Sequence, residues 1–304
     1  MKRIQGALGG AVLLALLAGC GSYSTTTETY TAVREPGSVE HGRNLVFNSC
    51  GGCHYDPVEM KFTGKQMKDV PGIAGKVYSA NLTRSGTNGI PPHYTDAELK
   101  YLLRTGIARN GRFIPYMLRP NMNDRDINDV IAYLRSDDAA VAPYNKTVGL
   151  THMNFIGKIG IHLEAHPEPY TAQIAVPPAD DDIANGRYLV DVIGCFHCHS
   201  GSLASLDYLH PEQSKHYLAG GKKFKMGEGK IVRGANITPD AETGIGNFTK
   251  DKFRRAVKDA IGPDGEKLSP PMEAFHHLQD READQIYAYL MSRPPVHHLI
   301  KKNE

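Results

Sequence analysis

Cysteine is the residue type to read first, because the chain has only five and each sits in a short recognisable pattern. Cys50-Gly51-Gly52-Cys53-His54 and Cys195-Phe196-His197-Cys198-His199 both have the form Cys-x-x-Cys-His. Two thiols at that spacing add to the two vinyl groups of a haem, and the adjacent histidine reaches the iron, so one turn makes three bonds to one cofactor. A redox-active cysteine pair would open a helix after a strand in an α/β pattern, which the sequence lacks. A four-cysteine zinc centre would merge the pairs and leave His54 and His199 idle, and so would a disulfide within each pair. The strings therefore imply two covalent haem c groups, held by Cys50, Cys53, His54, Cys195, Cys198 and His199.

The sixth position on each iron decides what such a centre does. Met117 follows Pro115 and Tyr116, and Met272 follows Pro270 and Pro271, each ahead of a last amphipathic segment and behind a turn at Gly111 or Gly265. A proline-stiffened loop suits a thioether ligand, which favours reduced iron and raises the potential. Met117 and Met272 are thus expected as metal ligands beside His54 and His199. His93, His276, His277, Met122 and Met226 are the rival ligands, none of which recurs between the copies as these two methionines do.

The fifth cysteine, Cys20, closes an apolar run from Ala7 to Ala18 behind Lys2 and Arg3. That run is too short to span a bilayer and has the length of a signal-peptide core. Leu17-Ala18-Gly19-Cys20 resembles a bacterial lipobox, which implies cleavage before Cys20, lipidation of its thiol and anchoring to a membrane of the cell envelope, on the periplasmic or outer-surface side. An ordinary signal peptide cut near the same place is the alternative. Loss of Lys2 and Arg3 takes the 35 basic residues to 33, against 33 acidic. Four haem propionates would then make the mature protein mildly acidic, so nothing favours nucleic acid as a partner.

The elements that position these residues occur twice. Gly42-Arg43-Asn44-Leu45-Val46 precedes the first string as Gly186-Arg187-Tyr188-Leu189-Val190 precedes the second. Asn81-Leu82-Thr83 returns as Asn236-Ile237-Thr238, and Ala132-Tyr133-Leu134 as Ala288-Tyr289-Leu290. Ile127, Val130, Ile131 and Leu134, and again Ala283, Ile286, Tyr287 and Leu290, fall at helical spacing. Thr95-Asp96-Ala97-Glu98 has the form of a capping box, and Gly106 can end the helix it opens. No stretch alternates as a strand. The chain reads as all-α, with a signal peptide over 1–19, a flexible tether over 20–40, domains over 41–140 and 183–304, and a proline-rich linker over 141–182. Met153, Phe155, Ile156, Ile159, Ile161 and Leu163 give that linker apolar surface with which to wrap the domains, although the sequence leaves open whether it does. The loops Gly64 to Ala80 and Gly220 to Ala235 need little regular structure if they lie on a porphyrin.

Asn236-Ile237-Thr238-Pro239-Asp240, Thr243-Gly244-Ile245-Gly246, Phe248-Thr249, Asp264-Gly265, Met272 and Ala288-Tyr289-Leu290 before Pro294-Pro295 resemble the class I cytochrome c domains in the cytochrome subunits of membrane-bound alcohol dehydrogenases. The second copy matches over nearly its whole length, and the first, from Gly42 to Ser136, more loosely. Phe248 stands where the family has Trp, Glu273 where it has Pro, and two haem strings where it has three. The resemblance implies two tandem class I cytochrome c domains that accept electrons from a dehydrogenase or a quinol-oxidising complex and pass them towards a terminal oxidase. The enzyme alternative is a dihaem cytochrome c peroxidase, which needs an open iron and acid/base groups over it. A haem-holding sensor or scaffold is a third class. Lys215, Lys222, Lys223, Lys225, Lys230 and Arg233 cluster after the second string and suit an acidic redox partner.

Overall fold

The computed structural model describes residue 23 and residues 37–67, 75–145, 148–226 and 230–301. Cys20 and the segment read as a signal peptide lie outside these. Among the described residues the protein is helical. The first half contains α1 (Val39–Ser49), α2 (Gly51–His54), α3 (Ile90–His93), α4 (Asp96–Thr105) and α5 (Asp124–Leu134). After α6 (Phe155–Glu164), the second half contains α7 (Asp182–Ile193), α8 (Cys195–His199), α9 (Lys250–Asp259) and α10 (Asp280–Ser292). Strand structure is confined to two short antiparallel pairs, β1 (Gly75–Lys76) with β2 (His152–Met153) and β3 (Lys223–Lys225) with β4 (Ile231–Arg233). No helix among the described residues is long and apolar enough to cross a membrane.

The helix starts obey local chemistry. Ser38 caps α1 two residues before the expected end of the tether, its hydroxyl accepting the His41 N–H at 3.2 Å. Thr95 and Glu98 form the expected capping box on α4, which ends at Gly106 with φ 74°. Thr249 caps α9, and there Ala260 takes the left-handed position at φ 53°, where a glycine would sit without strain.

Two helix crossings carry the architecture, and one glycine explains each. A Cβ at Gly42 would stand 1.8 Å from the carbonyl oxygen of Asp129, so α1 and α5 meet backbone to backbone. A Cβ at Gly186 would stand 1.9 Å from the carbonyl oxygen of Gln285, which puts α7 against α10 in the same way. The repeated Gly-Arg-x-Leu-Val is therefore a packing signature, with Val46 and Val190 fully buried just beyond each crossing.

The apolar clusters interlock rather than stand apart. Val46, Phe62, Ile127 and Tyr133 build one and Val190, Leu218, Ile286 and Leu290 the other, yet Val192 of the second half joins the first cluster and Leu118 of the first half joins the second. Polar bonds close the same seam: the Tyr188 hydroxyl donates to Asp126 at 2.5 Å and accepts the Asn123 N–H at 3.1 Å.

The connecting segment touches both halves: Arg281 donates to Ala179 O at 2.9 Å from the second, and several bonds tie the segment to the first. Glu168 N–H donates to Thr105 O at 3.3 Å, Lys100 Nζ donates to Ala172 O at 2.9 Å, and the rings of Tyr101 and Tyr170 lie 5.5 Å apart. Its apolar helix α6 is covered only in part, since Phe155 and Ile156 remain more than half exposed.

One buried group works against the fold. Asp191 lies on α7 with Oδ1 buried and without a hydrogen-bond partner, and burial pushes its carboxyl up from the ordinary 3.8 to about 7. Between those values the unfolded chain has lost a proton that folded Asp191 keeps, so this group lowers stability as pH rises from about 4 to 7.

These contacts can be tested by unfolding. Gly42→Val or Gly186→Val should destabilise the protein by at least the ~1–3 kcal/mol typical of overpacking, seen as a lower thermal midpoint. Gly51→Ala, whose nearest neighbour would be 4.0 Å away, should change it little. Asp191→Asn should be close to neutral near pH 4 and stabilising at pH 8 by about 4 kcal/mol, measured by denaturant unfolding at the two pH values. An equal effect at both would reject the ionisation account.

Candidate functional site

The first cysteine string begins where α1 ends. Cys50 N–H closes on Val46 O at 2.9 Å, and the turn α2 then carries Cys53 and His54, with His54 N–H on Cys50 O at 2.9 Å. Residues three apart on a turn share a face, so both thiols point the same way with the imidazole next to them. No disulfide joins Cys50 to Cys53 or Cys195 to Cys198. Burial keeps these groups uncharged: it pushes the Cys50 thiol up to about 11 and the Cys195 thiol up to about 12, and holds His54 and His199 below the ordinary histidine value.

The decisive bond is on the imidazole. His54 Nδ1 donates to the carbonyl oxygen of Ala80 at 2.8 Å, and His199 Nδ1 donates to that of Ala235 at 2.8 Å. A ring fixed through Nδ1–H is a neutral tautomer with its lone pair on Nε2, which is the form a metal ligand requires. A glycine ahead of each carbonyl ties the histidine's own backbone to the segment of chain that carries its partner. Gly64 N–H donates to His54 O at 2.9 Å and Gly220 N–H to His199 O at 2.7 Å. Both glycines have positive φ, and a Cβ on either would meet the carbonyls of Ser79 and Ala80, or of Gly234 and Ala235, within 3 Å. Asn81 and Asn236 lock the chain immediately beyond these carbonyls. Each accepts the N–H of the threonine two residues on, and donates to Tyr144 O or Val296 O at 2.9 and 2.8 Å.

Met117 and Met272 sit in corresponding turns. In the first half Ile114 N–H returns to Gly106 O at 2.7 Å, and in the second Leu268 N–H returns to Ala260 O at 2.7 Å, so each hairpin leads from the end of α4 or α9 into its methionine. Met117 ends the Pro115–Met117 turn and Met272 N–H donates to Ser269 O at 3.2 Å, and both are partly buried. The rival residues are placed otherwise. His93 and His276 are exposed, Met122 is sealed in the first apolar cluster, and Met226 lies at the β3–β4 turn. His277 is stacked on Phe47 at 4.0 Å and hydrogen-bonded with Arg43 at 3.2 Å across the seam.

The seam also holds residues that sequence reading missed. Each methionine loop abuts the other half's cysteine string. A Cβ on Gly52 would lie 2.5 Å from the carboxylate of Glu273, the residue after Met272. In the other direction Leu118, Arg119 and Asn121, which come just after Met117, line a small enclosed void with Asp191, Phe196, His197 and Tyr208. The only sequence sign of Arg119 is its place two residues after Met117. In the lysine cluster, Lys215, Lys223, Lys225 and Lys230 are exposed, whereas Lys222 turns inward to donate to His197 O at 2.9 Å.

Thiols on one face beside a Nδ1-anchored imidazole fit haem c at both strings. Comparison with known proteins agrees for the first: residues 39–137 match the cytochrome c family model. The chain is 32% identical over 135 residues, 44% of its length, to the fructose dehydrogenase cytochrome subunit of Gluconobacter japonicus. It is 25% identical over 293 residues, 92% of its length, to the gluconate 2-dehydrogenase cytochrome c subunit of Pantoea cypripedii, and 34% identical over 111 residues, 36% of its length, to the cytochrome c subunit of the quinone-linked alcohol dehydrogenase of Gluconobacter oxydans. It spans 25%, 64% and 21% of those proteins, in that order. Residues 39–137 thus match the cytochrome c family model, and the chain as a whole resembles the cytochrome c subunits of dehydrogenases.

Proposed function

We propose that the chain is an exported, lipid-anchored dihaem cytochrome, built from two tandem class I cytochrome c domains, that moves electrons from a dehydrogenase or quinol-oxidising complex to an acceptor such as a terminal oxidase. The observation that carries this reading is the doubled imidazole anchor, His54 on Ala80 and His199 on Ala235 at the same 2.8 Å. In each half the residues that would hold a haem are the two cysteines and the histidine of the string, with Met117 or Met272 proposed for the sixth position. Haem supplies one-electron chemistry at a potential set by its axial ligands and surroundings.

The protein's own part is to hold those ligands still. A neutral, buried imidazole and a methionine on a pinned turn would change little between iron oxidation states, which keeps the reorganisation accompanying electron transfer small. Two strings with equivalent anchors favour two closed electron-transferring centres over the peroxidase alternative, in which one centre must differ. The names of the similar proteins point towards a dehydrogenase as donor. Lipid at Cys20 would keep the carrier beside a membrane, within reach of larger redox complexes.

Haem extraction assays on the purified holoprotein should return two covalent haems per chain. Met117→Ala and Met272→Ala should each abolish the Met-ligation signature of one haem in optical spectra and lower that haem's midpoint in a redox titration. If neither substitution changed the spectrum, the sixth-ligand assignment would fall, and fast peroxide turnover with an electron donor would favour the peroxidase instead. Cys20→Ser should move the exported protein from the membrane fraction to the soluble fraction, and unchanged membrane association would reject the lipid anchor.

A further inference from the structure

We propose that Arg119 is a positioning residue that clamps the two haem-attachment segments together and raises the reduction potential of both haems. The inference rests on the two-haem reading above. Arg119 Nε donates to Val192 O at 3.1 Å, in the last turn of α7 shortly before Cys195, and one terminal nitrogen donates to Ser49 O at 3.4 Å, the residue before Cys50. The other terminal nitrogen is held by Leu118 O at 2.7 Å and Tyr116 O at 3.4 Å, on either side of Met117. One planar guanidinium therefore touches the ends of both helices that lead into cysteine strings and the backbone of one methionine turn.

The last carbonyls of a helix lack intrahelical partners and carry the negative end of its dipole, so a cation there is doubly favourable. Here two such ends share one cation. Only arginine presents donors in a fork rigid enough to serve both, because lysine is a single point charge. The guanidinium lies between the strings: it is bonded to the residue before Cys50 and to the last turn of α7, and Arg119 lines the same small void as Phe196 and His197. A fixed positive charge beside an iron favours the reduced, less positive state. The residue two places after Met272 is Ala274, so the second half has no twin of this cation at that position. Two lysines lie near one string each: Lys65 N–H donates to Ser79 Oγ, which in turn donates to Cys53 O, and Lys222 Nζ donates to His197 O.

Spectroelectrochemical titration of the holoprotein separates these roles. Lys65→Gln and Lys222→Gln should each lower one midpoint, which assigns the two midpoints to their halves. Arg119→Gln should lower both, by at least threefold in each reduction equilibrium constant, or about 30 mV at 59 mV per tenfold for one electron. Arg119→Lys keeps the charge but reaches one carbonyl at a time, so at most one midpoint should return to its wild-type value. Either midpoint unmoved in Arg119→Gln, or both at wild-type values in Arg119→Lys, would overturn the clamp. Should Arg119→Gln fail to incorporate haem, Arg119→Lys carries the same test. A wild-type protein with fewer than two haems per chain would instead overturn the dihaem reading, and the haem count tells the two failures apart.

Discussion

A histidine is ready to give one ring nitrogen to a metal when the other is held, and in this protein a backbone carbonyl holds Nδ1 of both His54 and His199. The Nδ1–H bonds from His54 to Ala80 and from His199 to Ala235 set the tautomer, the ring plane and the open nitrogen together. Much else serves to keep those carbonyls in place. Gly64 and Gly220 take positive φ so that their loops can come close enough. Asn81 and Asn236 pin the chain just beyond and tie it to segments that come after the last helix of each half. The glycine crossings at Gly42 and Gly186 then fix the helices α1 and α7 that deliver the cysteines. A carbonyl suits the task because it only accepts, so it admits one tautomer and leaves no alternative pairing.

The same parts, used twice, meet at a seam that is not symmetric. Opposite the first string stands Glu273, whose carboxyl is pushed up by burial, and opposite the second stands Leu118 with Arg119. Interlocked apolar clusters hold the seam: Leu118 packs into the second half and Val192 into the first, so neither half completes its core alone. Close apposition has an energetic consequence. A charge bonded to both helices that lead into the strings, as Arg119 is, lies close to both, and burial there weakens the solvent screening of its field.

Cysteine spacing made the two candidate attachment turns legible in the sequence, and each string does fold as one short helical turn, since two thiols and an imidazole on one turn demand a fixed local pattern. The repeated Gly-Arg-x-Leu-Val was legible as a repeat, but its meaning as a helix crossing needed the 1.8 and 1.9 Å approaches. Thr95, Glu98 and Gly106 were readable because caps are local. Long-range partners were not. The Ala80 and Ala235 carbonyls carry no side-chain sign, and Phe47 with His277 or Arg119 with Val192 join residues 70 or more apart in the chain. The apolar linker helix α6 was ambiguous for another reason: composition marks surface that could be covered, while Phe155 and Ile156 stay largely exposed.

That division between what repeats and what does not separates holding the cofactor from tuning it. The anchors, the glycines and the asparagine locks recur in both halves, as the same attachment chemistry at both strings would require. The groups around them differ: Gly51-Gly52 in one string against Phe196-His197 in the other, Glu273 against Arg119, and a lone buried Asp191 on α7. Two haems in identical surroundings would share one potential, and an electron would then have no preferred residence. On the proposed two-haem reading, holding by repeated backbone geometry would leave the side chains at the seam free to set the two potentials apart without disturbing either attachment.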